Sequence, residues 1–198
     1  DSGIGRLSGE ELQEALAGHT LELAFGVGPE SFAFAGSALS QDFDLLLQLL
    51  YHRLHDPAWR TAAFDRSRDS LQRMYRQLGS TVEGVQQIQG ERFLAGSSPE
   101  YGMAAWEEVA AINLAQIQSW LLPEFTSAPL EINVVGDIDP AAAIAQVSRF
   151  FGHERRQATN AASGNAPVFP AGREQRFSVP SSIDKALLTV AWRTSDFW

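Results

Sequence analysis

Between Thr20 and Leu54 the spacing of apolar residues switches from period two to helical spacing, and that switch narrows the folds open to this chain more than any other feature. Thr20-Leu21-Glu22-Leu23-Ala24-Phe25 and Ser31-Phe32-Ala33-Phe34-Ala35 alternate as half-buried strands do. The turn-forming Gly26-Val27-Gly28-Pro29-Glu30 between them predicts a hairpin with one aromatic and leucine face. From Ser40 onward Phe43, Leu46, Leu47, Leu50 and Leu54 fall on one helical stripe, with Asp42 and Asp44 at its N-terminal end and Asp56-Pro57 as its stop. A hairpin feeding directly into an amphipathic helix predicts an α+β chain, an antiparallel or mixed sheet packed against helices.

The remaining elements follow from local chemistry. Ser8-Gly9-Glu10-Glu11 is a capping box that opens a short helix ending near Gly18. A helix over about Arg60 to Leu78 carries Phe64, Leu71, Met74, Tyr75 and Leu78 as its apolar stripe, and Ser80 with Glu83 is read as a second capping box for a helix reaching about Leu94. After a loop over Ala95 to Gly102, Asn113 is read as the cap of a helix with Ile117, Trp120 and Leu121 inward and Pro123 near its end. Leu130 to Val135 reads as a buried strand, and Asp139-Pro140 as N-cap and first position of a helix that buries Ile144, Val147 and Phe151 and stops at Gly152. Residues 153–172 are rich in Ala, Asn, Gly, Ser and Pro and read as a linker, followed by two period-two segments, Arg173 to Val179 and Ala186 to Trp192. The expected organisation is therefore one main unit over 1–152, a linker over 153–172, and over 173–198 the opening strands of a following unit.

Composition sets limits on function. At 198 residues the chain can bury roughly 70% of the surface its unfolded form exposes. A net charge of −9 with a single lysine, Lys185, argues against a nucleic-acid surface, and the arginines between Arg60 and Arg76 are interleaved with Asp65 and Asp69 as on a solvated helix face. No apolar run approaches the roughly 20 residues of a membrane-spanning helix. The absence of cysteine excludes thiolate metal sites and a cysteine nucleophile without choosing a compartment.

No constellation of chemistry-bearing residues stands out. Zinc hydrolysis needs two imidazoles on one helix face and a carboxylate, and none of the four histidines supplies such a spacing. His52 and His55 lie three apart with no acidic residue within their turn. His19 reads as an exposed turn residue, and His153 as a cation at a helix C-terminus. Gly136-Asp137-Ile138-Asp139 sits between strand and helix, where phosphates bind in other folds, but its two carboxylates would repel them. Glu107-Glu108 is explained by a helix start, and G-x-S-x-G is absent. No catalytic, cofactor-binding or metal-binding residue is assigned.

The order of elements resembles the repeated half-unit of the insulinase/pitrilysin zinc metallopeptidases, which include mitochondrial processing peptidase. Phe34-Ala35-Gly36-Ser37-Ala38-Leu39, the leucine-rich Asp42 to Leu50, and Asp56-Pro57 look like that family's strand, helix and "D-P" stop. Leu130 to Pro140, ending in Phe150-Phe151-Gly152, looks like its "V-G-D-x-D-P … F-G" segment. The resemblance implies a processing-peptidase-like α+β half-unit, incomplete at both ends, in which the helix able to carry H-x-x-E-H would precede Asp1. Active units have an Asn-Ala pair where this chain has His19-Thr20. They also have a glutamate ligand on the second long helix, where this chain has Gln72 and Arg73. The resemblance thus implies the inactive kind of unit: a non-catalytic wall of a peptide-degrading chamber, with no cofactor of its own and zinc held in the catalytic half of the same parent chain or of a partner. The implied partners are that catalytic half and a peptide substrate, with no nucleic acid or membrane, and a homodimer by strand exchange as a further expectation. The alternative is an assembly subunit of the same fold without a proteolytic role. A bacterial, periplasmic setting is expected, with the cytoplasm as the alternative.

Overall fold

A computed structural model describes residues 2–28, 31–98, 101–156 and 167–194. The chain forms two compact units, one of Asp1–Phe64 with Leu114–Ala161 and the other of Asp65–Asn113 with Ala162–Trp198.

The first unit begins with helix α1 (Gly9–Ala15), whose predicted capping box is present: Ser8 Oγ accepts from the Glu11 amide at 3.2 Å, and Glu11 Oε2 accepts from the Ser8 amide at 2.8 Å. Strands β1 (Leu21–Val27) and β2 (Phe32–Ala38) pair antiparallel, with Leu21 opposite Ala38 and Val27 opposite Phe32. The apex residues Pro29 and Glu30 of the expected turn lie outside the described residues. A short 3₁₀ turn (Ser40–Asp42) leads into α2 (Phe43–His55), which stops at Asp56-Pro57 as predicted. Helices α7 (Leu114–Ser127) and α8 (Pro140–Phe151) complete the unit.

Its core is the set Leu54, Leu121 and Phe125, onto which Phe32, Phe34, Leu50, Ile117 and Phe151 pack. Phe125 meets Phe25 edge-on at 5.5 Å and Phe34 at 5.8 Å, so the aromatic face of the hairpin rests on α7. Asp139 caps α8, its Oδ2 accepting from the Ala142 amide at 2.9 Å, with Pro140 at the first helical position.

Several expectations are corrected here. Trp120, expected inward, is half exposed and touches Phe32 edge-on at 5.1 Å. In α8 it is Ala143, not Ile144, that is buried. Leu130 to Val135 forms no ladder: a strand is defined by its neighbour, and among the described residues none pairs with it. Asn133 Nδ2 reaches Glu131 Oε1 at 3.0 Å, the i,i+2 contact that an extended backbone permits.

Helix α3 (Thr61–Gly79) starts in the first unit and contributes most of its length to the second. Its expected stripe is not sealed: Ala63 is its one residue described as buried, and Leu71 and Met74 are exposed. Then α4 (Val82–Val85), a π-helical turn (Gln86–Gly90) and α5 (Glu91–Leu94) follow in succession. The cap of this stretch is Thr81, whose Oγ1 accepts from the Gly84 amide at 3.1 Å; Ser80, the expected cap, instead donates to the Gln77 carbonyl. Glu83, expected to complete the box, pairs with Lys185. Helix α6 (Trp106–Ala110) follows, after described residues 95–98 and 101–105 that form neither helix nor strand. The segments Arg173 to Val179 and Ala186 to Trp192 carry strand periodicity but no ladder among the described residues.

Candidate functional site

The positions where the resemblance places a metal ligand are on α3. Gln72 and Arg73 stand there, an amide that binds zinc poorly and a cation that opposes a dication by simple Coulomb repulsion. Among the described residues no three His, Asp or Glu side chains gather as a metal-ligand set.

The histidines serve other geometry. His19 Nδ1 donates to Asp42 Oδ1 at 2.7 Å, and the Thr20 amide donates to Asp42 Oδ2 at 3.0 Å. Asp42 is buried, and these donors, His19 foremost, hold its carboxyl below the usual carboxylate range. The arrangement ties the start of β1 to the turn that launches α2. Local sequence reasoning missed it because its partners are 22 and 23 residues apart. His52 and His55, three apart on α2, make separate contacts. His55 Nδ1 donates to the Tyr51 carbonyl at 2.8 Å and Nε2 lies 2.9 Å from Glu154 Oε1, while His52 meets the Tyr51 ring edge-on. Glu154 also pairs with Arg156, whose guanidinium donates to the Ala128 carbonyl at 3.1 Å. The first residues after α8, expected to be linker, are thus anchored to the first unit, while residues 157–166 lie outside those described. His153 is exposed just past the end of α8.

The second unit holds a concavity of about 250 Å³ lined by the π-helical turn, by Ser97, Met103 and Ala105, and by Gln175 with Phe177. Arg92 and Glu108 form a two-pronged ion pair at its edge, at 2.6 and 3.1 Å. Arg92, and after it the Ala105 amide, holds the Glu108 carboxyl at about 2 against an ordinary 4.5. A depressed carboxylate pKa stabilises the fold fully above about 4.5, and that stabilisation is lost as pH falls through the window down to about 2. Chemical denaturation at descending pH should therefore show the midpoint falling between these values, and Glu108→Gln should flatten that dependence while lowering the midpoint at neutral pH. A midpoint equally steep in the variant would remove Glu108 as the cause.

Comparison with known proteins bears on the fold. No protein-family model matches the chain, and no curated protein matches it. A solved structure of a mutant of the ferredoxin protease FusC, in complex with Arabidopsis ferredoxin, superposes with a TM-score of 0.66 at 19% identity. The likeness is one of fold: this chain folds like a segment of that structure. The likeness covers 84% of this chain and 18% of the FusC chain, so this chain spans under a fifth of the protein it resembles. No described helix is long and apolar enough to cross a membrane.

Proposed function

We propose that this chain is a non-catalytic scaffold of an insulinase/pitrilysin-type zinc peptidase, a wall of the chamber in which a polypeptide is held while a catalytic half cleaves it. The observation that carries the proposal is the likeness to a protease segment over 84% of the chain, joined to Gln72 and Arg73 on the helix where that reading needs a carboxylate. That FusC is seen with a protein bound supports a polypeptide as the occupant. In this reading zinc belongs to the catalytic half, on the same parent chain or on a partner, and the compartment is the bacterial periplasm. Leu188 and Trp192 stand 85% and 77% exposed on segments of strand periodicity, which supports a reading in which these segments take partners outside this chain. Exchange of such strands between two copies is a further route to partners for them.

Cleavage of a fluorogenic peptide by the catalytic half, measured with and without this chain, tests the proposal. Stimulation by the chain supports a chamber wall. Indifference favours the second reading, an assembly subunit of the same fold without a part in proteolysis.

A further inference from the structure

The cavity of the second unit has features that a passive wall does not need. Its helical side is a π turn, in which the Glu91 amide bonds the Gln86 carbonyl, a widened geometry frequent at functional sites. Opposite, Ser97 lines the cavity with φ of 64°, an unusual backbone for a residue with a side chain. The loop carrying Ser97 is pressed close: a Cβ on Gly102 would lie 2.9 Å from the Arg92 amide nitrogen, and one on Gly96 2.1 Å from the Val168 carbonyl oxygen. Irregular helix, strained loop and close approach thus converge on one concavity.

Its chemistry is selective. Ile88, Phe93, Met103 and Phe177 give it an apolar lining, and Gln89 and Gln175 add uncharged amides. Among the described lining residues the one charged group, Arg92, is matched by Glu108 in the two-pronged pair. A charged occupant would find no unpaired opposite charge on this wall, while an apolar one would cover its apolar lining, so the site favours a neutral occupant. An apolar cavity of roughly 150 Å³ admits benzene, so about 250 Å³ has room for one leucine-, methionine- or phenylalanine-sized side chain.

We infer that this cavity is a side-chain subsite, taking a single uncharged apolar side chain of a bound polypeptide, with Gln89 and Gln175 placed to meet main-chain amides beside it. The polypeptide nature of the occupant rests on the chamber-wall reading; the preference for a neutral apolar group rests on the cavity alone.

The chain contains two methionines, Met103 on the cavity wall and Met74 on α3, so methyl-labelled methionine gives a probe and an internal control in the same spectrum. The full chain is titrated with N-acetyl-leucinamide and N-acetyl-phenylalaninamide, and separately with the aspartic acid and lysine analogues and with benzene. The expected result is a saturable shift of the Met103 methyl with the two apolar amides, half-complete on the order of 1–10 mM, and no saturable shift with the charged ones. Met74 stays in place, and Ala105→Phe, which fills the cavity, abolishes the response. Benzene should shift Met103 less at equal concentration, and an equal or larger shift would replace the peptide subsite by a general apolar cavity. No saturable Met103 shift, equal shifts with charged amides, or a response that survives in Ala105→Phe with Met74 unmoved would overturn the inference. If peptide cleavage by the catalytic half is stimulated while Met103 stays silent, only the subsite fails. If Met103 responds and cleavage is indifferent, the chamber-wall reading and the polypeptide nature of the occupant fail, and the preference for a neutral apolar group stands.

Discussion

Phe125→Ala is expected to destabilise the first unit by about 3–5 kcal/mol, the range for deleting a large buried aromatic. Phe125 is 6% exposed and stands at the one place where the hairpin and two helices share a core: Phe25 and Phe34 from the strands, Leu54 from α2 and Leu121 from α7. Truncation would leave a void between elements whose backbones are fixed by ladder and helix hydrogen bonds, so collapse is limited and the cavity cost adds to the lost transfer energy. Against a total stability of roughly 5–15 kcal/mol, that loss removes a large share. Urea denaturation read by circular dichroism would show the midpoint falling sharply. A loss below about 1 kcal/mol, the level of a tolerated surface change, would mean that the hairpin does not rest on α7 as described.

Gly96→Ala is expected to cost on the order of 3 kcal/mol in the second unit, about 1–2 kcal/mol from a side chain held in left-handed backbone and the rest from displacement. At φ of 65° an alanine is strained whatever the space, and its Cβ would sit 2.1 Å from the Val168 carbonyl oxygen, so backbone must move. Because the same loop presents Ser97 to the cavity, the variant should lose both thermal stability and the Met103 response to apolar amides. Unchanged stability would show that the loop does not press against Val168.

What the sequence made legible was chemistry that closes within a few residues. The Ser8 to Glu11 capping box, the alternation that pairs β1 with β2, the Asp56-Pro57 stop and the Asp139-Pro140 start all appear where local reasoning puts them. What failed depended on partners far along the chain. Leu130 to Val135 has the composition of a strand, yet a strand exists only beside another, and period-two patterning cannot say whether one is there. The stripe on α3 was read from spacing alone, and spacing does not reveal whether a neighbour arrives to cover Leu71 and Met74. Ser80 and Thr81 are adjacent and equally suited to capping, so the choice between them fell to backbone geometry. The buried Asp42 with His19, and the cavity itself, were invisible because each is assembled from segments well separated in sequence.

The central claim, that this chain lacks a catalytic metal centre of its own and serves a catalytic half elsewhere, is tested most directly by elemental analysis of the purified chain after zinc loading and dialysis, with a fluorogenic-peptide assay on the same sample. The account predicts zinc well below one equivalent and no turnover above background. One tightly held zinc per chain, with peptide turnover that a chelator abolishes and added zinc restores, would contradict it.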